Sequence, residues 1–254
     1  MSKPVSTPLE DAGLDAAMLL RPGLHVAAFD FDGTLTRGDS LLPFLAGALG
    51  WPRFAAALLK SLPWLAGHAF GVVRNDVAKA RLFKAVWTGV PVATAQAWAA
   101  RWAEHRLPGL LQDWTLRRLA WHQAAGHCCV IVSASPSIYL QAAADRLGVD
   151  GLVCTELDVA GGRLTGAMRS PNCHGEQKVL RLQAWLADRF NPAEREGFTL
   201  YAYGDTAGDR PMLAMADHAW YRGRYEAKVL ASDAAHAHAP ENSPSIDPPS
   251  KETP

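Results

Sequence analysis

The chain has 254 residues, 49% of them hydrophobic and 20% charged, with 25 Lys and Arg against 25 Asp and Glu. That apolar content excludes global disorder, and balanced charge without a long basic run excludes a nucleic-acid footprint. The length suits one α/β core carrying an inserted subdomain rather than two full-sized domains.

In chain order, residues 1–23 read as a flexible leader. Glu10, Asp11 and Asp15, with no basic start leading into an apolar stretch, set it apart from a secretion signal. Strands are expected at 25–30, 128–133, 151–155, 199–204 and 219–221. Helices are expected at 116–125, 137–147, 176–190 and 209–216, the third from the helical spacing of Val179, Leu182, Leu186 and Phe190. This alternation predicts a parallel sheet with crossover helices. Gly161-Gly162 marks a hairpin over 157–166.

Residues 40–115 are helical in pattern and rich in Ala, Leu and Trp. If the first two core strands are neighbours, this insertion must project as a cap. The expected fold is therefore α/β, a three-layer Rossmann-like core of 24–39 and 116–225 with a helical cap at 40–115. Residues 226–254 carry Pro240, Pro244, Pro248, Pro249 and Pro254 without apolar periodicity and read as a disordered tail, which includes His236 and His238.

The longest uncharged runs, 41–52 and 61–73, fall short of the roughly 18 residues a spanning helix needs. Cys128, Cys129, Cys154 and Cys173 form no CxxC pair and suit small buried hydrophobes in a reducing compartment. Cys173-His174 lacks a second ligand cluster, so zinc is not expected.

Four segments carry chemistry. In Phe29-Asp30-Phe31-Asp32-Gly33-Thr34 an apolar strand ends in two acids spaced i and i+2, which share one side of extended backbone at the ligand-binding edge of a parallel sheet. Gly33 permits a tight turn with amides turned toward an anion. A calcium loop counted from Asp30 would need Gly and Glu where Leu35 and Leu41 stand. A second strand ends at Ser133-Ala134, where Ser133 is either a phosphate donor or a helix cap. Lys178 falls in the first turn of a helix, against the dipole, and is either a surface lysine or held by anions. Gly204-Asp205 closes another apolar strand, with Asp209 four residues on.

In that order the four segments resemble the haloacid dehalogenase-like phosphatases across residues 24–222, and the helical cap resembles their subfamily IB, the phosphoserine-phosphatase-like branch. The resemblance implies that Asp30 attacks phosphorus to form an aspartyl-phosphate, and that Asp32 serves as acid and then base. It implies Mg²⁺ held by Asp30, the Asp32 carbonyl and Asp205, with Asp209 in support. It places Gly33, Thr34, Ser133, Ala134 and Lys178 around the phosphate. One departure is Gly208, where phosphoserine phosphatases often carry Asn. Asp39 stands where that branch places a substrate-binding Glu, although it also suits a helix cap beside Ser40.

The insertion bears on the substrate. Between Leu41 and Val73 the only formal charges are Arg53 and Lys60, and seven of nine Trp residues lie in or beside it. They either pack the cap's own core or meet lipid. The motif order also resembles bacterial subfamily IB proteins related to phosphatidylglycerophosphate phosphatase. The expected substrate is thus an amphiphilic or lipid phosphate ester, handled by a cytoplasmic protein that touches the inner face of a membrane through its cap. The alternatives are a small soluble monoester such as phosphoserine, or a phosphotransferase. A receiver-like phosphoprotein would carry its acceptor Asp in mid-chain and would lack the insertion.

Overall fold

A computed structural model describes residues 23–191 and 198–227. The expected leader up to residue 22, and the tail beyond 227 with His236 and His238, lie outside the described residues.

The central sheet has six strands: β1 His25–Phe29, β2 Cys128–Pro136, β3 Gly151–Thr155, β6 Thr199–Gly204, β7 His218–Tyr221 and β8 Arg224–Ala227. Their order is β3-β2-β1-β6-β7-β8, parallel except for the antiparallel β8. β4 Leu157–Ala160 and β5 Arg163–Met168 form the separate hairpin about Gly161-Gly162.

A central parallel strand is covered on both faces, so it reads as a continuous apolar run whose alternate residues serve two cores. Ala27, Phe29, Cys129, Ile131, Tyr201 and Tyr203 enter one core. Their neighbours Val26, Ala28, Val130, Val132, Leu200 and Ala202 enter the other. The first face is covered by α6 Asp113–Ala124 and α7 Ser137–Leu147, the second by α8 Glu176–Arg189 and α9 Arg210–Met215. This is the three-layer arrangement.

Between β1 and β2 stand α1 Leu41–Leu49, α2 Trp51–Ala69, α3 Asn75–Trp87, α4 Val92–His105 and α5 Leu107–Leu110. The chain leaves and returns through a narrow neck, where the Arg37 amide donates to the Leu110 carbonyl at 2.8 Å and the Gln112 amide to Leu35 at 2.9 Å. Tyr139 of α7 roots the insertion, stacking on Phe44 at 4.6 Å between centroids and meeting Trp102 edge-on at 5.2 Å. Such pairs add about 0.5–1.5 kcal/mol each beyond area burial. Trp87 and Trp102 are buried, so part of the tryptophan content packs internally, while Trp51 is exposed.

Several boundaries differ from expectation. β2 runs to Pro136 rather than ending at Ser133, with its register shifting between those two residues, while α7 begins at Ser137 as expected. α6 begins at Asp113 instead of 116. Residues 226 and 227, expected in the tail, belong to β8, which turns back through Arg222 (φ 52°) and Gly223 to pair with β7. A short antiparallel edge strand of mixed polarity carries little periodic signal.

Candidate active site

The carboxyl ends of β1, β2 and β6 meet at one edge of the sheet. β1 hands over to β6 at Asp30, whose amide donates to the Tyr203 carbonyl at 2.9 Å. A wide turn over Phe31–Leu35 follows, closed by the Thr36 amide on the Phe31 carbonyl at 2.9 Å. Gly33 sits in it at φ 84°, a conformation that favours glycine. A Cβ built there would lie 2.3 Å from Asp205 Oδ2, so the missing side chain lets the β6 acid close on the β1 turn. Thr34 Oγ1 donates to Asp205 Oδ1 at 3.1 Å.

Asp30 and Lys178 meet at the centre. Lys178 is buried and its Nζ donates to Asp30 Oδ1 at 2.5 Å, Asp209 Oδ1 at 2.6 Å and the Val132 carbonyl at 2.8 Å. All three ammonium protons are used. The misplacement of a cation in the first turn of α8 therefore has a local cause: two carboxylates hold it. Burial would depress the lysine, but the charges of Asp30 and Asp209 outweigh that and raise it. Asp209 is pulled below its ordinary value against burial by that ammonium, and it also accepts from the Thr206 amide at 2.9 Å and Thr206 Oγ1 at 2.7 Å. Burial pushes Asp30 up to about 7 despite Lys178, with the Asp209 charge adding to the rise. Asp205 is also raised, chiefly by burial.

Asp30, Asp205 and Asp209 each offer a carboxylate oxygen, all within 4.8 Å of one another. Three carboxylates and one ammonium leave two negative charges uncompensated when all are ionised. An all-oxygen, doubly negative cluster fits a hard divalent cation. Asp209 has one oxygen on Lys178 and the other on Thr206, an arrangement that orients the lysine.

Asp32 lies to one side. Its Oδ1 accepts from the Ser40 amide at 2.7 Å and Ser40 Oγ at 2.5 Å, and its Oδ2 accepts from Ser135 Oγ at 2.5 Å. Because the Ser40 proton goes to Asp32, the Tyr139 hydroxyl, 2.8 Å away, donates to Ser40 Oγ. Ser133 is buried and accepts from the Ser135 amide at 3.1 Å. Ala134 turns its carbonyl to Lys79 Nζ at 3.0 Å and Thr155 Oγ1 at 2.7 Å. Asp39 is exposed and accepts from the Leu42 amide at 2.9 Å at the start of α1. The Gly208 Cα faces the His174 ring, which a Cβ there would approach to 2.3 Å.

Sequence reasoning passed over Ser135, Tyr139, Thr206 and Lys79. Ser135 stands two residues after Ser133, a period-2 signal visible along an extended segment. Lys79 comes from α3 of the insertion and also donates to Asn172 Oδ1 at 3.2 Å, a contact with no sequence signature.

Residues 27–214 match the family of haloacid dehalogenase-like hydrolases. The chain is 37% identical over 198 residues to protein CicA of Caulobacter vibrioides, covering 78% of this chain and 85% of that relative. A protein of unknown function from Bordetella pertussis Tohama I superimposes with a TM-score of 0.68 at 25% identity, over 78% of this chain and 89% of that one. A probable phosphoserine phosphatase from Vibrio cholerae shares the fold with a TM-score of 0.58 at 14% identity, over 86% and 65% of the two chains.

Proposed function

The chain belongs to the haloacid dehalogenase-like hydrolase family, and on that footing we propose that it is a magnesium-dependent phosphomonoester phosphatase working through an aspartyl-phosphate. The observation that carries this reading is the convergence of Asp30, Asp205 and Asp209 around the buried Lys178 ammonium.

The carboxylate of Asp30 attacks phosphorus as the bond to the ester oxygen breaks. Asp32, in its acid form, gives that oxygen its proton, and the alcohol departs. Asp32 as carboxylate then takes a proton from the water that attacks phosphorus, releasing inorganic phosphate and restoring Asp30. Ser40 and Ser135, donating to its two oxygens, hold the Asp32 carboxyl group in position. Ser133 accepts from an amide and keeps its own proton for a phosphate oxygen. Lys178 offsets the repulsion between Asp30 and a phosphate dianion. Amides of the turn at Gly33 and Thr34, and of Ala134, orient the remaining oxygens. Asp30, the Asp32 carbonyl and Asp205 would hold magnesium, with Asp209 in support; when bound, it supplies neutralisation and alignment of the phosphoryl oxygens.

The substrate we propose is an amphiphilic or lipid phosphate ester, taken from the inner face of a membrane by a cytoplasmic protein. The apolar insertion around the neck supports it. A soluble monoester such as phosphoserine is the alternative, with Asp39 near its leaving group. A phosphate-release screen over soluble and lipid phosphates, with Mg²⁺ and with chelator, tests both parts. Magnesium-dependent release that Asp30→Asn abolishes is the expected result. Full activity in Asp30→Asn removes the nucleophile, and phosphate appearing on an added alcohol makes the enzyme a phosphotransferase.

A further inference from the structure

We infer that the outer face of α2 is a docking surface for an anionic lipid bilayer, on which the helix lies flat. The inference rests on the amphiphilic-substrate reading and adds the surface by which such a substrate is reached.

A helix on the outside of a globular protein keeps one apolar stripe for the core and turns a polar face to water. α2 does not. Phe54, Ala57 and Ser61 form its buried side. The opposite side carries Ala56, Leu59, Leu62 and Pro63, with Phe70 continuing the stripe as its backbone N–H donates a hydrogen bond to the Ala66 carbonyl. Leu59 is 70% exposed, Phe70 84% and Val72 83%, and Trp51 at the helix start is 72% exposed. Large apolar side chains aligned along one exposed face mark an interaction site.

Charge identifies the occupant. No acidic residue stands between Asp39 and Asp76. Arg53 and Lys60, two turns apart, lie on one flank of the stripe and are exposed. On that flank Arg81 of α3 stacks over Trp64 of α2 at 5.0 Å. A second copy meeting the same patch across a two-fold axis would oppose cation to cation. An anionic lipid surface takes both the apolar stripe and the basic flank. No helix among the described residues is long and apolar enough to cross a membrane, which matches lying on the bilayer rather than spanning it. α2 packs on α3, and α3 sends Lys79 to the Ala134 carbonyl at the reaction site, so the docked helix and the site are one packed layer apart.

The test is co-sedimentation of the full chain with phosphatidylcholine vesicles, with and without phosphatidylglycerol, beside turnover of a soluble chromogenic phosphate ester. We expect binding only to the anionic vesicles, reduced at least about tenfold in Leu59→Gln/Phe70→Ser and in Arg53→Glu/Lys60→Glu, with chromogenic turnover unchanged in both. A wild-type chain that stays in the supernatant with anionic vesicles overturns the docking surface. So does a dimer in sedimentation velocity that Leu59→Gln/Phe70→Ser dissolves. Hydrolysis of a lipid phosphate monoester, phosphatidylglycerophosphate, in detergent micelles judges the substrate reading independently of either result.

Discussion

Lys178 Nζ lies 2.5 Å from Asp30 Oδ1, and both side chains are closed to solvent. Removing one partner of such a pair leaves a buried charge without compensation, at a cost of about 3–5 kcal/mol. In Lys178→Ala two carboxylates, Asp30 and Asp209, lose their shared cation. Denaturant unfolding should show that loss, and chromogenic turnover should disappear. A variant as stable as the wild type would mean the pair does not order the site.

Gly33→Ala tests the approach of β6 to the β1 turn. Alanine at φ 84° costs about 1–2 kcal/mol, and its methyl would stand 2.3 Å from Asp205 Oδ2. Asp205 must move. The expected signature is a higher Mg²⁺ concentration for half-maximal activity, read by metal titration, alongside that modest stability loss. An unchanged titration curve counts against Asp205 as a ligand.

Ser135 holds one oxygen of Asp32 at 2.5 Å while Ser40 holds the other. Ser135→Ala should lower kcat roughly tenfold, a fraction of the roughly 10²–10⁴-fold that general acid–base catalysis contributes. KM should change little, because the hydroxyl positions the acid rather than the substrate. A KM effect without a kcat effect would assign Ser135 to binding instead.

Beneath the sheet, His122 Nδ1 lies 2.8 Å from His127 Nδ1, and His122 Nε2 lies 2.8 Å from the Tyr203 hydroxyl. Burial drives His122 down to about 2, with His127, Arg118 and His25 adding positive charge nearby. Burial likewise drives His127 down to about 4, with His25 and Arg118 adding to the fall. Tyr201 and Trp121 pack against both rings. Both folded values lie below the ordinary histidine value of 6.5, so the unfolded chain binds more protons as pH falls. The contribution of this pair to stability should be level above about pH 6.5 and decline below it by about 1.4 kcal/mol per pH unit per histidine until each folded value is reached. The raised Asp30 acts in the opposite sense below about pH 7. His122→Asn should flatten the acid limb of a stability-versus-pH curve; an unaltered limb would exclude the pair as its source.

The core strands were legible because burial on both faces forces a continuous apolar run, as in Val26–Phe29 and Leu200–Tyr203, each followed closely by an acid, Asp30 or Asp205. The end of β2 was not legible. Ser133 read as its last residue with a helix from 137, yet the chain stays extended through Pro136 because β3 continues to pair with it across a shifted register. Lys79 was also beyond reach, since a lone lysine on a helix carries no sign of the carbonyl 55 residues away that it bonds.

Local sequence by itself determined the alternation of strands and helices and the acids and hydroxyls that stand at the strand ends, because backbone periodicity and side-chain chemistry are written residue by residue. Only the tertiary structure decided that Ser40 and Ser135 share Asp32, that Lys178 sits between Asp30 and Asp209, and that the outer side of α2 is apolar. Those facts depend on which distant segments packing brings within a few ångströms, and on which faces it leaves uncovered.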